Sequence, residues 1–145
     1  MTHCPQDELP THDCSDKYVL PAFVDSHSHL VYAGTREEEF NLRLKGASYE
    51  EIAAAGGGIL NSAAKVSTTS VDQLVSQATF RLENLIDCGT GTLEVKSGYG
   101  LDPENELKLL RAIKALNDRS HATLVATFLA AHALPASAKA QGMND

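Results

Sequence analysis

The stretch Phe23-Val24-Asp25-Ser26-His27-Ser28-His29-Leu30 decides how this 145-residue chain is read. It is an apolar strand that runs into two histidines separated by one residue. Alternate side chains of a strand share a face and sit about 7 Å apart, so two imidazoles can converge on one ion. Spacing alone leaves two readings open. An H-x-H is half of a typical zinc shell, and nearby histidines also occur as surface polarity or as satisfied hydrogen-bonding groups.

The residues before this stretch are less structured. Lys17 to Asp25 (KYVLPAFVD) is rich in Val, Leu, Tyr and Phe, but Pro21 interrupts it. The pattern predicts a short lead-in and then a buried strand from Ala22 to about Asp25, with the histidines following at its C-terminal end. Residues 1–16 are polar, with Pro5 and Pro10, and read as a loose leader. His3, Cys4, His12 and Cys14 match no common zinc spacing, and termini of this kind are usually loosely packed.

After the histidines, Arg36 to Lys45 carries acids early and bases late before Gly46, the charge order that suits a helix dipole. A second helix is expected from Ser48, which can cap with Glu51, to Gly56-Gly57-Gly58. These glycines lack the Lys-Ser/Thr of a phosphate loop, so they read as a flexible bend near the active face. Ser70 and Gln73 form another capping box and open the longest helix, with Leu74, Ala78, Leu82 and Leu85 as its apolar stripe and Gly89 at its end.

Thr92 to Val95 reads as a second strand, followed by the loop Lys96-Ser97-Gly98-Tyr99-Gly100. Asp102 caps a further helix with Pro103 at its first position, and Leu107, Leu110, Ile113 and Leu116 or Asn117 are expected to mark its faces. Ala122 to Ala130 (ATLVATFLA) is a third strand, whose continuous apolar run implies burial on both faces. His132 follows it. Pro135 and the small-residue tail offer no convincing fourth strand.

Strands separated by helical connections of this length pair in parallel. The class is therefore α/β. The polar candidates His27, His29, Lys96, Tyr99 and His132 all fall just after predicted strands, the edge on which parallel α/β proteins build their sites. Three strands are too few for a closed barrel, which needs eight and about 250 residues. The expectation is a portion of a larger fold.

Composition excludes several partners. With 43% hydrophobic residues the chain is an ordinary globular one. Nineteen acidic against twelve basic residues give a net charge of -7, with no basic stripe and no Trp, which argues against nucleic acid. No apolar run is long enough for a membrane span, and the first residues lack the basic-then-apolar layout expected of a secretion signal. Three cysteines without a C-x-x-C suit a reducing cytoplasm.

Four segments together carry a resemblance: FVDSHSHLVYAGTREEEF (Phe23 to Phe40), RLKGASYEEIAAAGGGI (Arg43 to Ile59), EVKSGYGLDPENELKLLR (Glu94 to Arg111) and AHALP (Ala131 to Pro135). With these the chain resembles the imidazolonepropionases of the amidohydrolase superfamily, metal-dependent (β/α)8 hydrolases. The first segment points to the superfamily; its combination with KSGYGL and AHALP points to this enzyme family. The resemblance implies a partial (β/α)8 TIM barrel of about three strand–helix units over residues 17–145.

It also implies one divalent metal, zinc or iron, held in part by His27 and His29, and a substrate, imidazolone propionate, bound by Arg36, Tyr99 and His132. The implied reaction is hydrolysis of the cyclic amide to N-formimino-glutamate in histidine breakdown, by a cytoplasmic enzyme that is a homo-oligomer when complete. The family's later metal ligands and its acid/base carboxylate have no counterpart here, so the chain alone is expected to be inactive. Taken singly, Arg36 reads as a solvated charge, Tyr99 as a turn residue and His132 as a strand-end hydrogen-bonding group; only the resemblance joins them. Lys96 stays a strand-end charge or a support for the residues that touch substrate. The rival readings are another cyclic amidohydrolase, and a non-catalytic α/β module that pairs with a partner subunit.

Overall fold

A computed structural model describes residues 11–130, 132–134, 138 and 141–142. The elements run β1 (Phe23–Ser28), α1 (Glu37–Leu44), α2 (Tyr49–Ala54), α3 (Ile59–Thr68), α4 (Val71–Asp87), β2 (Thr90–Lys96), α5 (Pro103–Asn117) and β3 (Thr123–Thr127). The strands form one sheet in the order β1-β2-β3, and both pairings are parallel. The α/β class and the parallel pairing are as the sequence implies.

The core lies between this sheet and the two long helices. Leu93 and Val95 of β2 and Leu124 of β3 meet Leu74, Ala78 and Leu82 of α4 and Leu109, Ala112, Ile113 and Leu116 of α5, all buried. On α4 the observed stripe is the expected one, with Leu85 packed at its margin. Its start is also as expected. The Ser70 hydroxyl accepts from the Gln73 N–H at 3.2 Å, and the Gln73 side chain accepts from the Ser70 N–H at 3.1 Å. Ser70→Ala removes one half of this box and is expected to cost about 1 kcal/mol in urea unfolding, with the m-value unchanged.

Several expectations are corrected. Residues 17–22 form no strand, and Tyr18, Val19 and Leu20 are exposed. β1 is not buried: Phe23 and Val24 are 67% and 71% exposed, because no helix covers this edge strand among the described residues. It also extends to Ser28, so His27 lies within the strand rather than after it. β3 is not buried on both faces either. Leu124 faces the helices while Val125 is half exposed on the opposite side.

On α5 the inward positions are Glu106, Leu109, Ala112, Ile113 and Leu116, and Leu107 is 48% exposed. Leu107, Leu109 and Leu110 allow two phases of the same periodicity, and a glutamate on the inward face hid the true one. The glycine run is not simply a bend: Gly58, at φ +82°, starts the unexpected helix α3. That helix has no side-chain cap to announce it. The leader expectation for residues 1–10 and the reading of Pro135 lie outside the described residues. Among the described residues no helix is long and apolar enough to cross a membrane.

Candidate functional site

Parallel pairing brings the C-terminal ends of all three strands to one side, and each delivers a ring there. The His29 ring centroid lies 5.8 Å from that of His27, 4.8 Å from Tyr99 and 5.1 Å from His132, and Tyr99 and His132 are 5.9 Å apart. The Arg36 guanidinium carbon stands 5.9 Å from the Tyr99 ring centre. The five residues to which the resemblance gives a metal or substrate role are thus neighbours in space, whereas Lys96 is engaged elsewhere. His27, Arg36 and His132 are exposed, whereas His29 and Tyr99 are half-buried.

A cavity of about 380 Å³ opens beside them, lined in part by His29, Tyr32, Arg36, Phe40, Ser62 and Tyr99. That volume suits a small molecule. His27 and His132 are not part of its lining.

The two histidines of β1 offer a partial metal shell. The Nδ1 of His29 is buried and has no hydrogen-bond partner, which leaves a nitrogen lone pair or N–H unspent. Two imidazoles on one ion with metal–nitrogen bonds of about 2 Å place their centroids roughly 5–6 Å apart, and 5.8 Å fits. Burial, then the neighbouring His132 and His27, hold the His29 imidazole below the ordinary histidine value, with the carbonyls of Ser97 and Lys96 pulling the other way. The lowered value favours the neutral form that binds metal. Among the described residues no third donor joins the pair to make a cluster.

The loops that carry these rings are tied down by residues the motifs did not flag. Arg81 of α4 donates from Nη1 to the carbonyls of Leu30 and Tyr32, both at 3.1 Å, and from Nη2 to that of Gly34 at 3.5 Å. Its guanidinium also lies over the Tyr32 ring, 3.6 Å from the centroid. One side chain thus clamps the segment joining His29 to Arg36. Arg36 is held from the other side, where its Nε donates to the Ser62 hydroxyl of α3 at 3.1 Å. Because α3 was not foreseen, neither was Ser62.

Lys96, read as a strand-end charge, pairs with Glu94, which also accepts from the Thr127 hydroxyl at 2.6 Å. The Lys96 and Thr127 hydrogen bonds hold the Glu94 carboxyl below its usual range. These groups line the side of the sheet facing away from α4 and α5.

The loop after β2 is unusually constrained. Ser97 is buried and joins the ends of β2 and β3: its N–H donates to the Thr127 carbonyl and its hydroxyl accepts from the Leu129 N–H, both at 3.0 Å. Gly98 has φ +116°, and a Cβ there would lie 3.0 Å from the His132 Cβ. At Gly100 an added Cβ would come within 2.4 Å of the Glu106 backbone nitrogen. Leu101 sits at φ +60°, a conformation that costs a non-glycine residue on the order of 1 kcal/mol and persists only where neighbours enforce it.

Fold and site together define a class: a parallel α/β unit with a histidine-rich cleft at the C-terminal ends of its strands. Sequence comparison narrows it. No family model matches the chain. It is 54% identical to the imidazolonepropionase of Flavobacterium johnsoniae over 123 residues, 85% of this chain and 30% of that enzyme. To that of Flavobacterium psychrophilum it is 49% identical over 140 residues, 96% of this chain and 34% of the relative. To that of Agrobacterium fabrum it is 46% identical over 148 aligned positions, 97% and 35%. The chain is related to the imidazolonepropionases, as its motifs indicate, and it spans about a third of the length of the curated relatives it matches.

Proposed function

We propose that this chain supplies the first three strand–helix units of an imidazolonepropionase barrel, residues 17–145 behind a polar leader of residues 1–16, and that the complete barrel opens the ring of imidazolone propionate by hydrolysis. The observation that carries the proposal is the convergence of His27, His29, Arg36, Tyr99 and His132, from three strand ends, around one cleft.

His27 and His29 would hold a divalent ion, zinc or iron, with further donors and the acid/base group coming from the rest of the barrel. Such an ion, when bound, would acidify a water and polarise the ring carbonyl. Arg36 takes the propionate carboxylate. Its Nε is engaged by Ser62, which fixes the guanidinium plane and leaves the Nη atoms for a charge-assisted pair. The Tyr99 hydroxyl and the His132 ring orient the cyclic amide by hydrogen bonds. Water adds to the ring carbonyl carbon, the carbon–nitrogen bond breaks, and the departing nitrogen takes a proton. The free thiols of Cys14 and Cys88 suit a reducing cytoplasm.

The test is hydrolysis of imidazolone propionate, followed by ring absorbance with metal supplied, for the chain alone and mixed with the remaining portion of a curated relative. Turnover in the mixture only is expected. Turnover by the chain alone, or an inert mixture of two folded partners that bind each other, would overturn the proposal.

A further inference from the structure

Glu106 is a glutamate, 1% exposed, on the inward face of α5, and it has no part in the chemistry described so far. A carboxylate near the start of a helix commonly serves the helix itself, by capping or by answering its dipole. That role is already filled, because Asp102 accepts from the Asn105 N–H at 2.8 Å. Glu106 instead turns back onto the preceding loop. Its Oε2 accepts from the Gly98 N–H at 2.9 Å, and its Oε1 from the N–H groups of Gly100 at 2.7 Å and Leu101 at 3.1 Å.

Three backbone donors from both sides of Tyr99 therefore converge on one buried carboxylate. An ionised carboxylate is acceptor-only and can serve all three, and these are charge-assisted bonds of the stronger kind. The loop they shape is the one with φ +116° at Gly98 and φ +60° at Leu101. Without a central acceptor, nothing else among the described contacts gathers these amides inward.

We propose that Glu106 is a positioning residue for Tyr99: its carboxylate gathers the Gly98–Leu101 amides and so sets how far the Tyr99 ring reaches towards His29 and the cleft. This rests on the reading of Tyr99 as a substrate contact. Glu106→Gln is the informative change, since it keeps the size but offers one acceptor oxygen. It can serve Gly98 or the Gly100–Leu101 pair, and its amide NH₂ then faces an N–H on the other side.

The first measurement needs no variant: scalar couplings across the hydrogen bonds, from the Gly98 and Gly100 amides to the Glu106 carboxyl carbon, are expected in the NMR spectrum of the chain. In Glu106→Gln, amide exchange at the released loop positions is expected to quicken about tenfold or more while α4 is unchanged. In the completed enzyme the same variant is expected to raise KM for imidazolone propionate about tenfold with kcat held within about twofold, the signature of lost binding shared by ground and transition states. Absent couplings, or unchanged exchange, would overturn the proposal whether or not the variant is stable. Quickened exchange with an unchanged KM, alongside a raised KM in Tyr99→Phe, would overturn it while sparing the reading of Tyr99. An unchanged KM in both variants would remove Tyr99 from the substrate, and the proposal with it.

Discussion

Replacing either histidine of the β1 pair, His27→Ala or His29→Ala, is expected to cut hydrolysis sharply in the completed enzyme and to remove the stabilisation expected when zinc is added to this chain. Lewis-acid polarisation and an acidified water are worth several kcal/mol, which corresponds to a loss on the order of 10³-fold in kcat/KM. The chain alone gives a second readout, because a ligand that binds only the folded form stabilises it by about 2.7 kcal/mol at a hundredfold excess over Kd. Zinc titration followed by thermal unfolding should raise the midpoint of the unaltered chain and leave both variants unmoved. His29→Ala has a further property. It deletes the buried Nδ1 that lacks a partner, so the metal-free variant loses ring packing but sheds an unsatisfied polar atom. His27 is exposed, so its loss should hardly change metal-free stability. A zinc-dependent shift as large in either variant as in the unaltered chain would rule out that histidine as a ligand.

Arg81→Met is expected to cost about 2–3 kcal/mol and to disorder the path from His29 to Arg36. Hydrogen bonds from charged donors are worth about 1.5–3 kcal/mol each, and a partly desolvated cation over an aromatic ring adds roughly 1 kcal/mol. Arg81 is only half-buried, and the freed carbonyls regain some water, so the sum is less than these parts. Methionine preserves the aliphatic packing, which isolates the guanidinium. Arg81→Lys keeps the charge but loses the planar fork, and should recover the smaller part of the deficit. Urea unfolding reads the stability, and amide chemical shifts from Leu30 to Gly34 read the loop. In the completed enzyme, misplacing Arg36 by about 1 Å is expected to lower kcat/KM by up to about 10²-fold. A stability change under 0.5 kcal/mol with unmoved Leu30–Gly34 shifts would show that the clamp is not needed.

Much of the site was readable because its residues sit where local chemistry is loud. His27 and His29 carry their own spacing, and Tyr99 lies between glycines in a loop after an unmistakable strand. Their convergence followed from parallel pairing alone. The supports were quieter. Arg81 is an ordinary helical arginine by sequence, and its three carbonyl partners are 47 to 51 residues away. Ser62 lies on α3, a helix without a capping side chain after a glycine run, so neither its start nor its inward face was marked. Glu106 carries no signal in the sequence, since a buried glutamate contradicts the rule that places charged residues outside. Apolar content implies a buried β1 and a β3 covered on both faces, whereas what covers a strand depends on which elements pack there.

The pairing of β1 with β2 is irregular: its register shifts between Phe23 and Val24 and again between Asp25 and Ser28, across the stretch that holds His27. Such irregularities bend a strand and redirect its side chains. They also spoil the strand as a template, since another chain can add to a sheet only along an even row of amide and carbonyl groups. The shifted register at the histidine pair therefore has a protective side. It makes β1, an edge strand among the described residues, a poor seed for fibrillar stacking in the very segment where Phe23 and Val24 would otherwise invite it.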